Sequence, residues 1–333
     1  MKTYKNLWEQ FISPENLELA VKKAVKSKKN KPQTKLFLQN KDALMKKLRD
    51  DLIHNRFRVS RYRTYFVFEP KKREIYELPL YPDHIVHHAL INILAPLWQT
   101  RFIRDSYACI PGRGIHSAVQ RAMLFVKKNK YVLQCDVRKF YPSIDHNIMM
   151  NVISKKIHDR KILGLLRRII FSIDGGKNLP IGNLTSQWMG NLYLTELDLF
   201  VKHVLGAKNY LRYSDDFCVF HDDKRFLTMA KVQIAEFLDA KLNLRLSRAN
   251  VRLANGMAFV GFRLFRDFIV LRRKTVKKVR NRMRDFGINK KYLSCVSRRS
   301  CLAAVNGLLK WAKTYNLKRE ISRHVVAWNW GVG

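Results

Sequence analysis

The chain has 333 residues, enough to bury a large core in two or three compact units, and its 65 Lys and Arg against 26 Asp and Glu give a formal charge of +39. That excess runs along the whole length instead of sitting in a tail, so the fold repels itself unless a polyanion is near; nucleic acid is the expected partner and a membrane surface the weaker one. Five cysteines, Cys109, Cys135, Cys218, Cys295 and Cys301, with no C-x-x-C pair argue against a zinc site and a disulfide framework. The opening MKTYKNLWEQF lacks the apolar core of a signal peptide, and the best apolar run, 89–98, is too short to span a bilayer, so a cytoplasmic protein with reduced thiols is expected.

Residues 1–60 read as basic helices. Leu17, Ala20, Val21, Ala24 and Val25 give one apolar face, and Ala43, Leu44, Leu48, Leu52 and Ile53 give another. Between them the charge run KSKKNKPQTK, broken at Pro32, reads as a solvated or phosphate-contacting loop. Residues 61–80 alternate in the strand manner around a turn at Pro70, which predicts a hairpin with the basic tip Lys71, Lys72 and Arg73. An apolar helix follows over 81–98; among His84, His87 and His88, the i and i+4 pair can share one helical face but lacks a nearby third metal ligand. In YACIPGRGIHSA, residues 107–118, Gly112 and Gly114 allow close backbone approach, and Arg113 between them can meet a phosphate or a base edge.

Residues 131–145, YVLQCDVRKFYPSID, run apolar from Tyr131 to Cys135 and place Asp136 at the end of a buried strand. A helix starting near His146 follows, with Ser143 or Asp145 as its cap. A basic helical stretch over 147–172 and a break at Gly175-Gly176 lead into PIGNLTSQWMGNLYLTELD, residues 180–198, a Gly loop passing into a helix. LRYSDDFCVF, residues 211–220, is strand, turn and strand, with Ser214, Asp215 and Asp216 at its tip. An Asp-rich tip alone is most often a solvated turn. Adjacent carboxylates beside buried strands are costly, however, unless a cation neutralises them. With Asp136 on a neighbouring strand end, Asp215 and Asp216 make a ligand set for two Mg²⁺ or Mn²⁺ ions about 3.5 to 4 Å apart, the clamp of an in-line phosphoryl displacement.

Beyond the tip, a helix carrying Met229, Val232, Ala235, Phe237 and Leu238 ends near Leu242, a short strand covers 244–247, and 257–265 form a hairpin. In the last segment Val276, Val279, Met283 and Phe286 recur on one helical side, with Lys277, Lys278, Arg280, Arg282 and Arg284 elsewhere, so one face packs and the other lies on a nucleic-acid backbone. A second helical pair, over 300–317, has Leu302, Val305, Leu308, Leu309 and Trp311 for its core.

Taken together, Asp136 with Phe140-Tyr141, the Gly loop of 180–198 and Tyr213-Ser214-Asp215-Asp216 resemble motifs A, B and C of the reverse transcriptases, over about residues 15–320. The variant Ile181-Gly182-x-x-x-Ser186-Gln187, in place of the usual Gln before Gly and Pro after Ser, resembles the form in diversity-generating retroelements, which copy a template repeat mutagenically into a variable gene. The resemblance implies an α+β right-hand polymerase: N-terminal extension and fingers at 1–130, palm with a split βαβ sheet at 131–265 and a helical insertion at 147–178, and a helical thumb at 266–333. It implies catalysis by Asp136, Asp215 and Asp216, with the Val137 backbone as a further metal ligand. It implies triphosphate gripping by Arg73, a steric gate against ribose at Tyr141, and an incoming nucleotide against Ile181 and Gly182. Template or primer contact falls to Arg113, Gln187, Phe259, Gly261, Lys277 and Arg280, with His116 completing the motif around Arg113.

The implied partners are template RNA, primer and cDNA, dNTPs and a small basic accessory protein, with no membrane. Without an RNase H or HNH residue set after the thumb, template removal and target cleavage fall to other proteins. The Lys that many members place after the strand at 244–247 aligns with Asn250, which cannot act as a general acid, leaving Arg248 or water. Retron, intron-like and phage-defence reverse transcriptases, or a non-catalytic basic RNA-binding scaffold, are the alternatives.

Overall fold

In the computed structural model of this chain the described residues are 3–68, 71–288, 303–314 and 317, with backbone alone for 284–288. Ser13 opens helix α2 (Pro14–Ala24) by accepting from the Asn16 amide with Pro14 at the first turn, after the single turn α1 (Trp8–Phe11). Leu17, Ala20, Val21 and Ala24 bury as expected. Pro32 does not break a loop but starts helix α3 (Pro32–Gln39), where its fixed φ suits a first turn. In α4 (Lys41–Ile53) Leu48 and Leu52 are buried, whereas Ile53 at the helix end is exposed.

Strands β1 (Arg63–Val67) and β2 (Arg73–Glu77) pair in the expected hairpin, whose predicted turn at Pro70 lies outside the described residues. All of β1 is exposed, so its alternation marks no half-buried face. The long apolar helix α5 (Ile85–Gln99) packs against α2, and α6 (Ile115–Lys128) leads into the sheet.

That sheet holds β3 (Tyr131–Val137), β4 (Asn209–Tyr213), β5 (Asp216–His221) and β6 (Leu246–Leu253) in the spatial order β4-β5-β3-β6, every neighbour antiparallel. This is the split βαβ order expected. Between β3 and β4 come the turn α7 (Phe140–Ser143), α8 (His146–Ser154), α9 (Arg160–Ile170) and α10 (Leu184–Leu199). Asp145, not Ser143, caps α8, accepting from the Asn147 and Ile148 amides. Helix α11 (Lys224–Leu242) packs on β3, β5 and β6 through Leu227, Ala230, Ile234 and Leu238; Met229 and Val232 instead point to solvent. Strand β6 is longer than the short strand expected, so Asn250 sits inside it, exposed and opposite Gln134.

Strand alternation divides the core. Leu133, Cys135, Phe217 and Val219 join the cluster built with α5, α9, α10 and α11. Val132, Cys218, Phe220 and Leu211 join a second cluster with α6, a small sheet of β7 (Met257–Phe259), β8 (Phe262–Leu264) and β9 (Ile269–Leu271), and helix α12 (Arg273–Ile288). On α12, Val279 and Met283 are buried while Lys277 and Arg280 are exposed. A helical segment over 303–309 adds Val305 and Leu309, whereas Leu302 lies outside the described residues. No helix among the described residues is long and apolar enough to cross a membrane.

Candidate active site

Asp136 has the same strand parity as Val132, and Asp216 the same parity as Cys218 and Phe220, so both carboxylates belong to the sheet face of the second cluster. They are direct cross-strand partners in the β3–β5 register. Asp215 precedes Asp216 at the β4–β5 turn, which Ser214 makes by taking a left-handed φ of 58°. Asp136, 79 positions before Asp215, thus meets Asp215 and Asp216 at one end of the sheet.

Their electrostatics follow from that convergence. Burial, then Asp136 and Asp215, push the Asp216 carboxyl up to about 6, against the opposing pull of Arg248 and Lys71. Burial also raises Asp215, with Asp136 adding to the shift and Arg73 of β2 drawing it back. Arg248 donates to Asp216 Oδ1 at 3.1 Å, Lys71 stands 3.8 Å from Asp136 Oδ2, and the Ser247 hydroxyl donates to that same oxygen at 2.9 Å. No group of three His, Cys, Asp or Glu among the described residues is drawn together closely enough to be a preformed metal cage. The donors nevertheless fit a hard divalent cation: all are carboxylate oxygens, and the raised proton affinity of Asp215 and Asp216 is the cost of burying them and of holding like charges together without one.

The other expected site residues cluster around this end in part. Gly182 takes φ of 125°, and a Cβ there would stand 2.8 Å from the Tyr76 carbonyl oxygen, a contact only Gly permits. The Tyr76 amide donates to the Ile181 carbonyl at 2.8 Å, so the β1–β2 hairpin leans directly on the Gly loop. Tyr141 is half-buried beside Asp215 and the Ser214 hydroxyl, and burial raises its phenol. Gly190 of α10 lies behind it: a Cβ there would come within 3.3 Å of the Tyr141 ring. Gln187 is exposed on the first turn of α10.

Four residues of the expected template–primer motifs are otherwise engaged. Arg113 donates to the Ile103 and Ser106 carbonyls at 2.8 and 3.1 Å, which ties down its own loop. Phe259 is only 3% exposed, a core residue whose ring cannot reach a primer. His116 stacks on Trp311 with centroids 4.6 Å apart. Gly261, with φ of 93°, offers its carbonyl to the Thr275 hydroxyl at 2.9 Å, linking the β7–β8 turn to α12. Arg248, considered as a stand-in proton donor, is occupied by Asp216.

Sequence reading passed over Ser247 and a buried group behind the turn: Arg212, Asp198 and Asn191. A lone Arg between Leu211 and Tyr213 in an apolar strand was the available signal, because a charge there must either reach water or find a partner.

Residues 71–264 match the family described as reverse transcriptase (RNA-dependent DNA polymerase). Protein YkfC of Escherichia coli (strain K12) is 23% identical over 66% of this chain and 70% of its own length. The Retron Ec73 reverse transcriptase of Escherichia coli is 29% identical over 53% of this chain, and the match spans 60% of that protein, less than two thirds of its length. A solved apo telomerase from Candida tropicalis, truncated from its C-terminal domain, superposes with a TM-score of 0.49 at 14% identity, covering 64% of this chain and 55% of that one. The α+β architecture seen here is consistent with a right-hand polymerase.

Proposed function

The chain belongs to the reverse transcriptase (RNA-dependent DNA polymerase) family, and from that premise we propose that it extends a DNA primer along an RNA template, with Asp136, Asp215 and Asp216 as its catalytic residues. The observation carrying this reading is the cross-strand pairing of Asp136 with Asp216 beside the Asp215 turn. Two divalent ions, Mg²⁺ or Mn²⁺, held by these carboxylates and the Val137 carbonyl, would supply an acidified 3′-hydroxyl and charge neutralisation on the triphosphate. Arg73, beside Asp215, would grip the triphosphate with its guanidinium fork. Tyr141 would lie beneath the sugar and leave no room for a 2′-hydroxyl. Lys277 and Arg280, exposed on α12, and Gln187 would meet the template–primer backbone.

Replacing Asp215 by Asn keeps size and removes the charge. Primer extension on an RNA template should then fall about 100- to 1000-fold with RNA affinity unchanged, the scale expected when electrostatic stabilisation at the reacting centre is removed. Extension that survives the change would leave a basic RNA-binding scaffold as the better account.

The finer role we propose is mutagenic copying for a diversity-generating retroelement, with a small basic accessory protein as partner. Ile181 stands where an amide would otherwise bond around the nascent base pair, and its aliphatic side chain offers no such check. Sequencing cDNA copied from the RNA encoded beside the gene should show errors concentrated at template adenines, and Ile181→Gln should reduce them. Errors spread evenly over the four bases would favour the second reading, a retron enzyme, which the likeness to the Ec73 protein supports.

A further inference from the structure

Arg212 lies on β4 with its side chain turned to the sheet face opposite Tyr213, and it is 0% exposed. Its Nε and Nη2 donate to the two oxygens of Asp198 on α10 at 2.8 and 2.7 Å, a fork-to-fork pair with neither partner in contact with water. Its Nη1 donates to Asn191 Oδ1 at 3.0 Å and to the Ser214 carbonyl at 3.1 Å. Asp198 also accepts from the Tyr210 hydroxyl at 2.7 Å, and Asn191 donates onward to the Ala108 carbonyl at 2.7 Å. The Arg212 backbone is bound as well, its amide to the Asp105 carbonyl at 2.9 Å and its carbonyl to the Tyr107 amide at 3.1 Å.

A buried ion pair is weak evidence for stability, since apolar residues of like volume often serve as well. What an apolar side chain cannot do is hold the Ser214 carbonyl. Ser214 occupies the left-handed region at the head of the turn. Its C=O lies in the rigid plane of the Ser214–Asp215 peptide, so fixing that oxygen fixes the direction in which Asp215 leaves the turn. The same guanidinium is anchored to α10, whose leading loop carries Ile181 and Gly182.

We propose that Arg212 is a positioning residue for the Asp215 carboxylate: held by Asp198 and Asn191, it sets the Ser214–Asp215 peptide plane and ties that turn to helix α10. This rests on the reading of Asp215 as catalytic. Arg212→Lys keeps a cation opposite Asp198 but loses the fork that reaches Asn191 and Ser214 together. In primer extension its kcat should fall about 10- to 100-fold, the scale of a misplaced reacting group, with KM for dNTP within about threefold of wild type. Amide hydrogen exchange, measured without metal or nucleic acid, should quicken about tenfold at 213–217 and stay unchanged in β6. Asn191→Ala, which removes one acceptor and the Ala108 tether, should give the same pattern at smaller size, and it carries the test if Arg212→Lys does not fold.

A folded variant with wild-type kcat, a loss confined to KM, or exchange rising evenly across the sheet would overturn the assignment. Should Asp215→Asn leave extension intact, the polymerase reading falls, while the exchange pattern still decides whether Arg212 holds the turn.

Discussion

Asp216 faces Asp136 across the strand pair and follows Asp215 directly, so its charged form is disfavoured in the fold and its carboxyl titrates near 6. An unfolded Asp titrates at about 3.9, so between these values the folded chain binds the proton more tightly. Stability from this group is therefore greatest below about pH 4 and declines as pH rises to about 6. Asp216→Asn removes the titration, so its gain in unfolding midpoint over wild type should grow from pH 4 to pH 6 in the absence of metal. Millimolar Mg²⁺ at pH 7 should narrow that gap by stabilising only the wild type. A gap that is flat with pH would mean Arg248 and Lys71 already neutralise the cluster. The three acidic residues were legible in the sequence because Asp136 and Asp216 lie at the ends of apolar strands and Asp215 lies in the turn between two of them. The Ser247 hydroxyl on Asp136 was not, since nothing local to residue 247 marks a partner 111 positions away.

Elements that pack locally were easier to read than those whose burial is set at a distance. The stripe of α2 and the Asp145 cap of α8 follow from neighbours in sequence. On α11, Met229 and Val232 are as apolar as Leu227 and Ile234, and only the position of the sheet decides which side is covered. Strand β1 has the alternation of a buried strand yet is exposed throughout, because its hairpin touches the rest of the chain through β2 and the Gly loop. That contact is testable at Gly182. An Ala there must adopt φ near 125° and place its Cβ against the Tyr76 carbonyl, a strain of about 1–3 kcal/mol that the chain can relieve by letting the hairpin part from the loop. Gly182→Ala should raise KM for dNTP roughly tenfold, since 1.4 kcal/mol is one decade, and should speed tryptic cleavage at Lys71, Lys72 and Arg73. Unchanged KM and unchanged cleavage would show that the hairpin is held by other contacts.

For the whole molecule, the distribution of charge decides what it can bind, and the carboxylate cluster decides what it can do there. A formal charge of +39 over 333 residues, with only 26 acidic residues to offset it, makes association with RNA largely a release of counterions. If six to ten phosphates are neutralised, log K should fall linearly with log salt with a slope of about −4 to −7 for a single strand. Lys277→Gln, at an exposed site on α12, should weaken binding at every sequence alike and make the slope shallower by slightly less than one. Asp215→Asn should leave the slope where it was, because on the proposed reading that residue would meet the reacting end and not the phosphate backbone. A slope near zero would mean that recognition rests on base edges or stacking, and the excess of Lys and Arg would then need another polyanion to explain it. A slope that shifts with Asp215 but not with Lys277 would move the nucleic acid off α12 altogether, and the thumb-like role of that helix with it.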